Sequence, residues 1–429
     1  MFENTLRYNH NGETKAVKKA AQYHDSLLIP AHFVAVSPRK IAGLLERLQT
    51  DFGTEFYVDP RLPAYRVGRE FWDKPGKLGQ WDQALAEYYG KPVTDILIKK
   101  GNLTVGDLSQ EQLREVIESQ CEFQLSMVAD AAQAKLGRYM DLEADLRPRA
   151  IVPWYVKITS IRDLEINEWI IETAQEYSNY PVKPCFFTTP DFLSDETRLS
   201  ALIELISGCD IREVFVWVEG LTKRKTDPMD YAHTAKLIYE ISDSNIRPHL
   251  LYGSYFDHLL GYLGNRGSGF GPAYQESKAE KTGDEGKSGG GGTNRYYFNP
   301  VKTFLNFQET EHLGDENNEP LCECEICSRE LGSWSEIYKF DGDYTAQSRH
   351  YIEVRQHHSS ELSTLALGEK LTELEDKYSL YKDSLGNSDT AAQPYHLRKW
   401  KTGIEHFVEE MLEEDISQFQ PVPEEEIEM

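Results

Sequence analysis

The chain has no run of about 18 apolar residues, which excludes a transmembrane helix by hydropathy. Its first residues, Met-Phe-Glu-Asn-Thr-Leu-Arg, lack the basic-then-apolar order of a secretory signal. No Gly-x-Gly-x-x-Gly follows a strand-like run, so a dinucleotide-binding fold has no support. Cysteine is scarce, with six in 429 residues. Cys121, Cys185 and Cys209 are scattered and read as buried, reduced thiols. Cys322 and Cys324 stand too close to bridge each other. This usage argues for a reducing, cytoplasmic setting. Basic charge is also short: 46 Lys and Arg against 71 Asp and Glu give a net charge of −25, which argues against a generic polyanion binder. The deficit is uneven, because ten acids and no Lys or Arg lie between Glu405 and the C-terminus. Basic clusters survive at Arg39-Lys40, Lys99-Lys100, Arg147 with Arg149, and Lys223-Arg224-Lys225.

Against this background one cluster stands out. Cys322, Cys324 and Cys327 fall within six residues, and His350 follows 23 positions after the last. Zinc takes four soft or borderline ligands in a tetrahedron, and Cys3His is a common structural set. Ligands so close together must share one tight loop, with the fourth returning from another element. His350 is the first candidate for that fourth position, and His357 and His358 lie nearby. Reduced thiols on an acidic loop are the plainer alternative.

The length suits roughly two or three domains, or one barrel with additions. Apolar strand-like runs alternate with amphipathic helical stretches. Strands are predicted at Ser26–Ala31, Glu55–Asp59, Ala150–Ile158, Val182–Thr188, Glu213–Val218 and Pro248–Tyr252. Helices are predicted from Ser37 and Pro38 onward, then at Gln110–Lys135, Glu165–Tyr177, Ser194–Ser207, Pro228–Ser242 and Tyr255–Tyr262. Ser37 and Ser194 suit N-cap positions. Such alternation predicts a parallel sheet covered on both faces, and at least six units fit a (β/α)8 TIM-like barrel. In a barrel, functional groups sit at the C-terminal strand ends. Asp59, Tyr155, Thr188, Glu219, Gly220 and Gly253 would then surround the mouth. The expected organisation is a barrel over residues 1–315 and a zinc-binding subdomain over 316–376. C-terminal helices over 377–414 and a disordered acidic tail over 415–429 complete it, the predicted helical runs being Glu361–Lys382 and His396–Glu413. A Gly-rich stretch at 278–294 cannot build a core and reads as a loop.

The Cys-x-Cys-x-x-Cys set with its later His resembles the zinc signature of the tRNA-guanine transglycosylase superfamily. Three further stretches are similar to that family: Phe56-Tyr-Val-Asp59-Pro, Val218-Glu219-Gly220-Leu221 and His249-Leu-Leu-Tyr-Gly253. Departures are visible too. Pro60-Arg61-Leu62 follows Asp59 where the family continues Ser-Gly-Gly-Phe-Gln. Glu219 replaces a Gly, and Val156 or Lys157 stands where a base-reading Asp is expected. Arg266-Gly-Ser-Gly-Phe-Gly-Pro-Ala lacks the carboxylate of the family nucleophile, the nearest acids being Asp257 and Glu276. No appended RNA-binding module follows. The pattern is most like the DpdA-type DNA 7-deazaguanine transglycosylases.

The resemblance implies a pentosyltransferase that exchanges guanine in DNA for a 7-deazaguanine such as 7-cyano-7-deazaguanine, with a structural zinc ion. It implies Asp59 as base or orienting group in the pocket and Asp257 as candidate nucleophile. Glu219, Gly220 and Leu221 would contact the base, and Tyr155 and Phe187 would stack on it. Lys223, Arg224 and Lys225 would contact phosphate. A homodimer or an accessory protein is a plausible partner. Two other expectations stay open: a tRNA-modifying transglycosylase, and an inactive paralogue serving as a partner subunit.

Overall fold

The computed structural model describes residues 2–9, 11–60, 65, 80–136, 146–272, 276, 295–383 and 394–423. The Gly-rich stretch, Arg61-Leu62 and the last six residues lie outside the described residues.

The chain is α/β, with most residues helical around a curled, seven-stranded, all-parallel sheet. The strands are β1 (Glu3–Arg7), β2 (Ser26–Pro30), β3 (Glu55–Asp59), β4 (Cys185–Thr188), β5 (Glu213–Val218), β6 (Arg247–Leu251) and β7 (Gly267–Phe270). Their order is β3-β2-β1-β7-β6-β5-β4, so the first and last strands pair at the centre. That topology is consistent with a TIM-like fold. The two edges, β3 and β4, are spanned by residues 149–151. Arg149 N–H donates to the Phe56 carbonyl at 2.8 Å, and Ile151 forms a parallel bridge with Val182.

The interior of the curl is one apolar cluster, with Leu28, Tyr57, Phe187, Phe215, Trp217 and Leu251 among its members. These are alternate residues of neighbouring strands, as inward-facing positions must be. At the N-terminal strand ends the interior closes on charge. Lys183, 3% exposed, sits between Glu213 Oε2 at 3.2 Å and Glu3 Oε2 at 3.6 Å and faces the Phe215 ring. Burial disfavours a charged Glu3, but Lys183, His249 and Arg149 together hold its carboxyl well below the usual range.

Two strands are not legible as apolar runs. β1 reads Glu-Asn-Thr-Leu-Arg, yet all five residues are buried. Several of its polar side chains find buried partners: Ser26 Oγ donates to Glu3 Oε1 at 2.6 Å and Asn4 Nδ2 to Ser359 Oγ at 2.8 Å. β7 reads Gly-Ser-Gly-Phe. A Cβ at Gly267 would lie 2.4 Å from the His249 ring, and one at Gly269 2.3 Å from Leu251. The glycines are what let β7 pass its neighbour.

The predicted strand at Ala150–Ile158 narrows to the single bridge at Ile151. Pro153 has no N–H to give to a ladder, and buried side-chain amides serve the backbone instead. Gln124 accepts from Val152 N–H, Gln120 from Trp154 N–H and Asn167 from Val156 N–H, at 3.1, 2.8 and 2.9 Å. Helix starts differ slightly as well. Asp195 rather than Ser194 caps the helix Glu196–Gly208, and Ser37 occupies the N-cap of Pro38–Phe52 without a side-chain bond.

Beyond the sheet, β8 (Arg295–Phe298) and β9 (Thr303–Asn306) form an antiparallel hairpin. The helices Tyr344–Glu361, Leu367–Tyr381 and Tyr395–Glu405 follow. The Cys-rich segment packs into the same apolar core as the helix Pro228–Asp243, and Tyr344–Glu361 lies against β1 and β8. Within the acidic tail, Phe419 lies against the core with its carbonyl accepting from Leu367 N–H, and Val422 N–H donates to the Leu362 carbonyl. Among the described residues no helix is long and apolar enough to cross a membrane.

Candidate functional site

The Cys/His set converges. Cys324 sits at the N-cap of the short helix Glu325–Glu330, which turns Cys327 back toward Cys322. Backbone N–H groups of Cys324 and Cys327 point at the sulfurs of Cys322 and Cys324. His350 projects from the helix Tyr344–Glu361. Its Nδ1 lies 3.6, 3.3 and 3.4 Å from the sulfurs of Cys322, Cys324 and Cys327. Tetrahedral zinc with ordinary Zn–S and Zn–N bonds places sulfur and nitrogen roughly 3.5 Å apart, so the donor set fits a metal ion of that kind. His350 Nε2 lies 2.8 Å from the Tyr297 carbonyl, which favours Nδ1 as the free donor. Tyr296 stacks on the imidazole at 4.0 Å, with its hydroxyl 3.2 Å from Cys327 Sγ. His357 is exposed, and His358 is directed to Asn299; neither joins the set.

At the C-terminal strand ends lies a second constellation. Asp59 closes β3, 5% exposed, and its Oδ1 accepts from the Tyr155 hydroxyl at 3.1 Å. Burial, and then the Asp59 charge, push the Tyr155 phenol far above its ordinary range, so Tyr155 stays a donor. The Tyr155 ring meets Phe187 edge-on at 6.4 Å, and Phe187 stacks on Trp217 at 3.9 Å. Trp217 meets Tyr252 at 5.5 Å, and the Arg7 guanidinium lies 5.7 Å from the Tyr252 ring. Lys157 pairs with Glu219 and faces Phe187. The result is an aromatic floor ringed by Asp59, Arg7, Lys157 and Glu219.

The remaining predicted residues divide. Gly220 is exposed at φ +92°, and its carbonyl accepts from Thr226 Oγ1. The Leu221 side chain belongs to the core. Phe187 has no exposed surface and already stacks on Trp217, so it supports the floor rather than meeting a ligand face-on. Asp257 has no exposed surface either and is engaged by Arg355 and Ser268. Burial pushes its carboxyl up to about 7, against the pull of Arg355. That position lies buried behind the strand ends. Lys223 is likewise turned inward, donating to Glu276 at 2.6 Å and to the Lys302 carbonyl, while burial lowers its pKa. Only Arg224 and Lys225 of that basic trio are exposed.

Arg7, Trp217, Tyr252 and Arg355 are drawn into this region without having been singled out in the sequence. Trp217 was findable in principle, as the last inward position of an apolar strand, whereas Arg7 lies on the polar β1. Arg355 gave no local signal.

A cavity of about 520 Å³ opens at the opposite, N-terminal end, lined by Glu3, Glu55, Arg149, Glu213 and Arg247 among others. Its acids and bases pair with one another, at the barrel face associated with stability.

No family model and no curated protein matches the chain. Among solved structures, a proposed fructose-1,6-biphosphate aldolase from Coccidioides immitis is similar over 84% of this chain and 90% of its own. The identity is 8% and the TM-score 0.35, a likeness that carries no argument for activity.

Proposed function

We propose that the chain is a base-exchange transglycosylase replacing guanine in DNA with a 7-deazaguanine. We also read the curled sheet and residues 149–151 together as a (β/α)8 barrel, with a structural zinc held by Cys322, Cys324, Cys327 and His350. The reading rests on the resemblance of its motifs. The observation that supports it most is the Asp59–Tyr155 pair set on an aromatic floor at the C-terminal strand ends. In the exchange, a carboxylate attacks C1′ as the bond to guanine breaks, and guanine leaves with a proton. The incoming base then gives up a proton and attacks the same carbon, releasing the carboxylate. Asp59 is the base or orienting group, held by Tyr155. Glu219, paired with Lys157, is our candidate to read a ring N–H or to act as the second carboxylate. The target base must be flipped out or single-stranded to reach this floor, and Arg224 and Lys225 are the exposed phosphate contacts.

A second reading is an inactive partner subunit, favoured by the burial of Asp257. Incubation with labelled-guanine DNA or tRNA and 7-cyano-7-deazaguanine, followed by nucleoside mass spectrometry, tests both. Incorporation into DNA supports the proposal, and incorporation into tRNA alone replaces it with the tRNA enzyme. No incorporation into either favours the partner subunit.

A further inference from the structure

The helix Tyr344–Glu361 has two engaged faces. One carries His350 to the three thiols. The other is a stripe spaced four residues apart, Tyr351, Arg355 and Ser359, turned to the sheet. Arg355, five residues or about 7.5 Å of helical rise beyond His350, is fully buried. Its Nη1 donates to the Ser254 carbonyl at 2.6 Å and its Nη2 to Asp257 Oδ2 at 3.1 Å. Ser359 Oγ accepts from Asn4 Nδ2 of β1 and lies 3.2 Å from His258 Nε2.

The segment that Arg355 grips is unusual. Tyr252 and Ser254 both have left-handed backbones, at φ +64° and +59°. Each such non-glycine residue costs about 1 kcal/mol or more and persists only where its surroundings impose it. Gly253 between them lets the turn close on Asp257, since a Cβ there would lie 2.2 Å from Asp257 Oδ1. The far side of the turn is tied by Tyr252 N–H to the Gly269 carbonyl at 2.7 Å. The ring so positioned is Tyr252, which walls the mouth against Trp217 and Arg7.

We propose that Arg355 is a positioning residue for the mouth, and that the metal-bearing helix sets it. A metal bound by Cys322, Cys324, Cys327 and His350 fixes the helix. The helix holds Arg355 on Ser254 and Asp257, and these hold Tyr252 in its left-handed turn. This rests on the mouth being the binding site proposed above, but its test does not need turnover.

The test uses the full chain loaded with cobalt(II), whose thiolate absorption reports the metal centre. Amide hydrogen exchange is followed in peptides covering residues 250–258, with β5 as internal control. Arg355→Ala should keep the cobalt bands and speed exchange in 250–258 about tenfold or more, the loss of a charge-assisted hydrogen bond. Cys324→Ser should lose the bands and speed the same peptides. Arg355→Lys, which keeps the charge and one contact, should restore part of the protection; it also serves if the alanine variant fails to fold. Unchanged exchange in 250–258 after loss of the cobalt bands overturns the proposal. So does a rise that extends equally through β5, which marks a merely structural role. Absence of base exchange by the wild-type protein would refute the transglycosylase reading while leaving these outcomes intact.

Discussion

Arg355 Nη2 lies 3.1 Å from Asp257 Oδ2, and neither side chain has any exposed surface. Removing one partner strands the other charge in an apolar interior. Asp257→Ala should lower unfolding free energy by about 3–5 kcal/mol, whereas replacing both by apolar residues of similar volume should cost much less. Urea midpoints of the single and double variants measure this. A single-variant loss under about 1 kcal/mol would show that the pair is not the anchor described.

Loss of a metal ligand should register directly as lost stability. Cys324→Ala is expected to bind no zinc by elemental analysis and to melt at lower temperature, because metal binding contributes folding energy. A melting curve that matches wild type, with zinc retained, would remove Cys324 from the ligand set.

At the mouth, Asp59→Ala should reduce base exchange by roughly 10²–10⁴-fold, the range for a positioned acid–base group. Tyr155→Phe should cost less, since it removes only the hydroxyl bonded to Asp59. Both should bind zinc normally. Equal, near-wild-type rates in single-turnover assays would move the chemistry away from Asp59.

Acid sensitivity has a local origin. Burial pushes His24 down to about 4, and burial followed by the Lys183 charge pushes His249 down to about 3. In the unfolded chain both take up protons from about pH 6.5 downward. Their contribution is therefore complete above about pH 6.5 and declines as pH falls toward the folded values. For His24 the decline between about pH 6.5 and pH 5 is roughly 2 kcal/mol. Asp25 works the other way, since burial raises it to about 6 and its contribution grows as pH falls. The stability difference between wild type and His24→Gln should thus shift in favour of the variant on acidification. A difference constant from about pH 7.5 to pH 5 would contradict this.

The basic trio should split by role. Arg224→Glu with Lys225→Glu should weaken DNA binding and reduce its salt slope by about one per lost contact, with an unchanged melting point. Lys223→Ala should instead lower stability, because it leaves the partly buried Glu276 carboxylate without its cation. Titrations at several salt concentrations, paired with thermal melts, distinguish these outcomes.

Local pattern made several elements legible. Glu55–Asp59 and Glu213–Val218 were readable as strands because continuous apolar runs mark strands buried on both faces. The thiols were readable because their spacing leaves few other uses. β1 and β7 were not readable, since one is polar and the other glycine-rich. Their burial depends on partners far away in sequence, Gln356 and Ser359 for Asn4 and the His249 ring for Gly267.

By itself, then, the sequence determined the alternation of strands and helices, the thiol cluster and the strand-end place of Asp59. Each is written in residue types at short spacing. Only the tertiary structure decided that His350 rather than His357 or His358 completes the donor set. It alone turned Asp257 and Lys223 inward and assembled Arg7, Tyr155, Trp217 and Tyr252 into one floor. Those outcomes depend on which buried charge meets which partner far along the chain, 98 residues away for Asp257 and 53 for Lys223, and desolvation makes that pairing decisive.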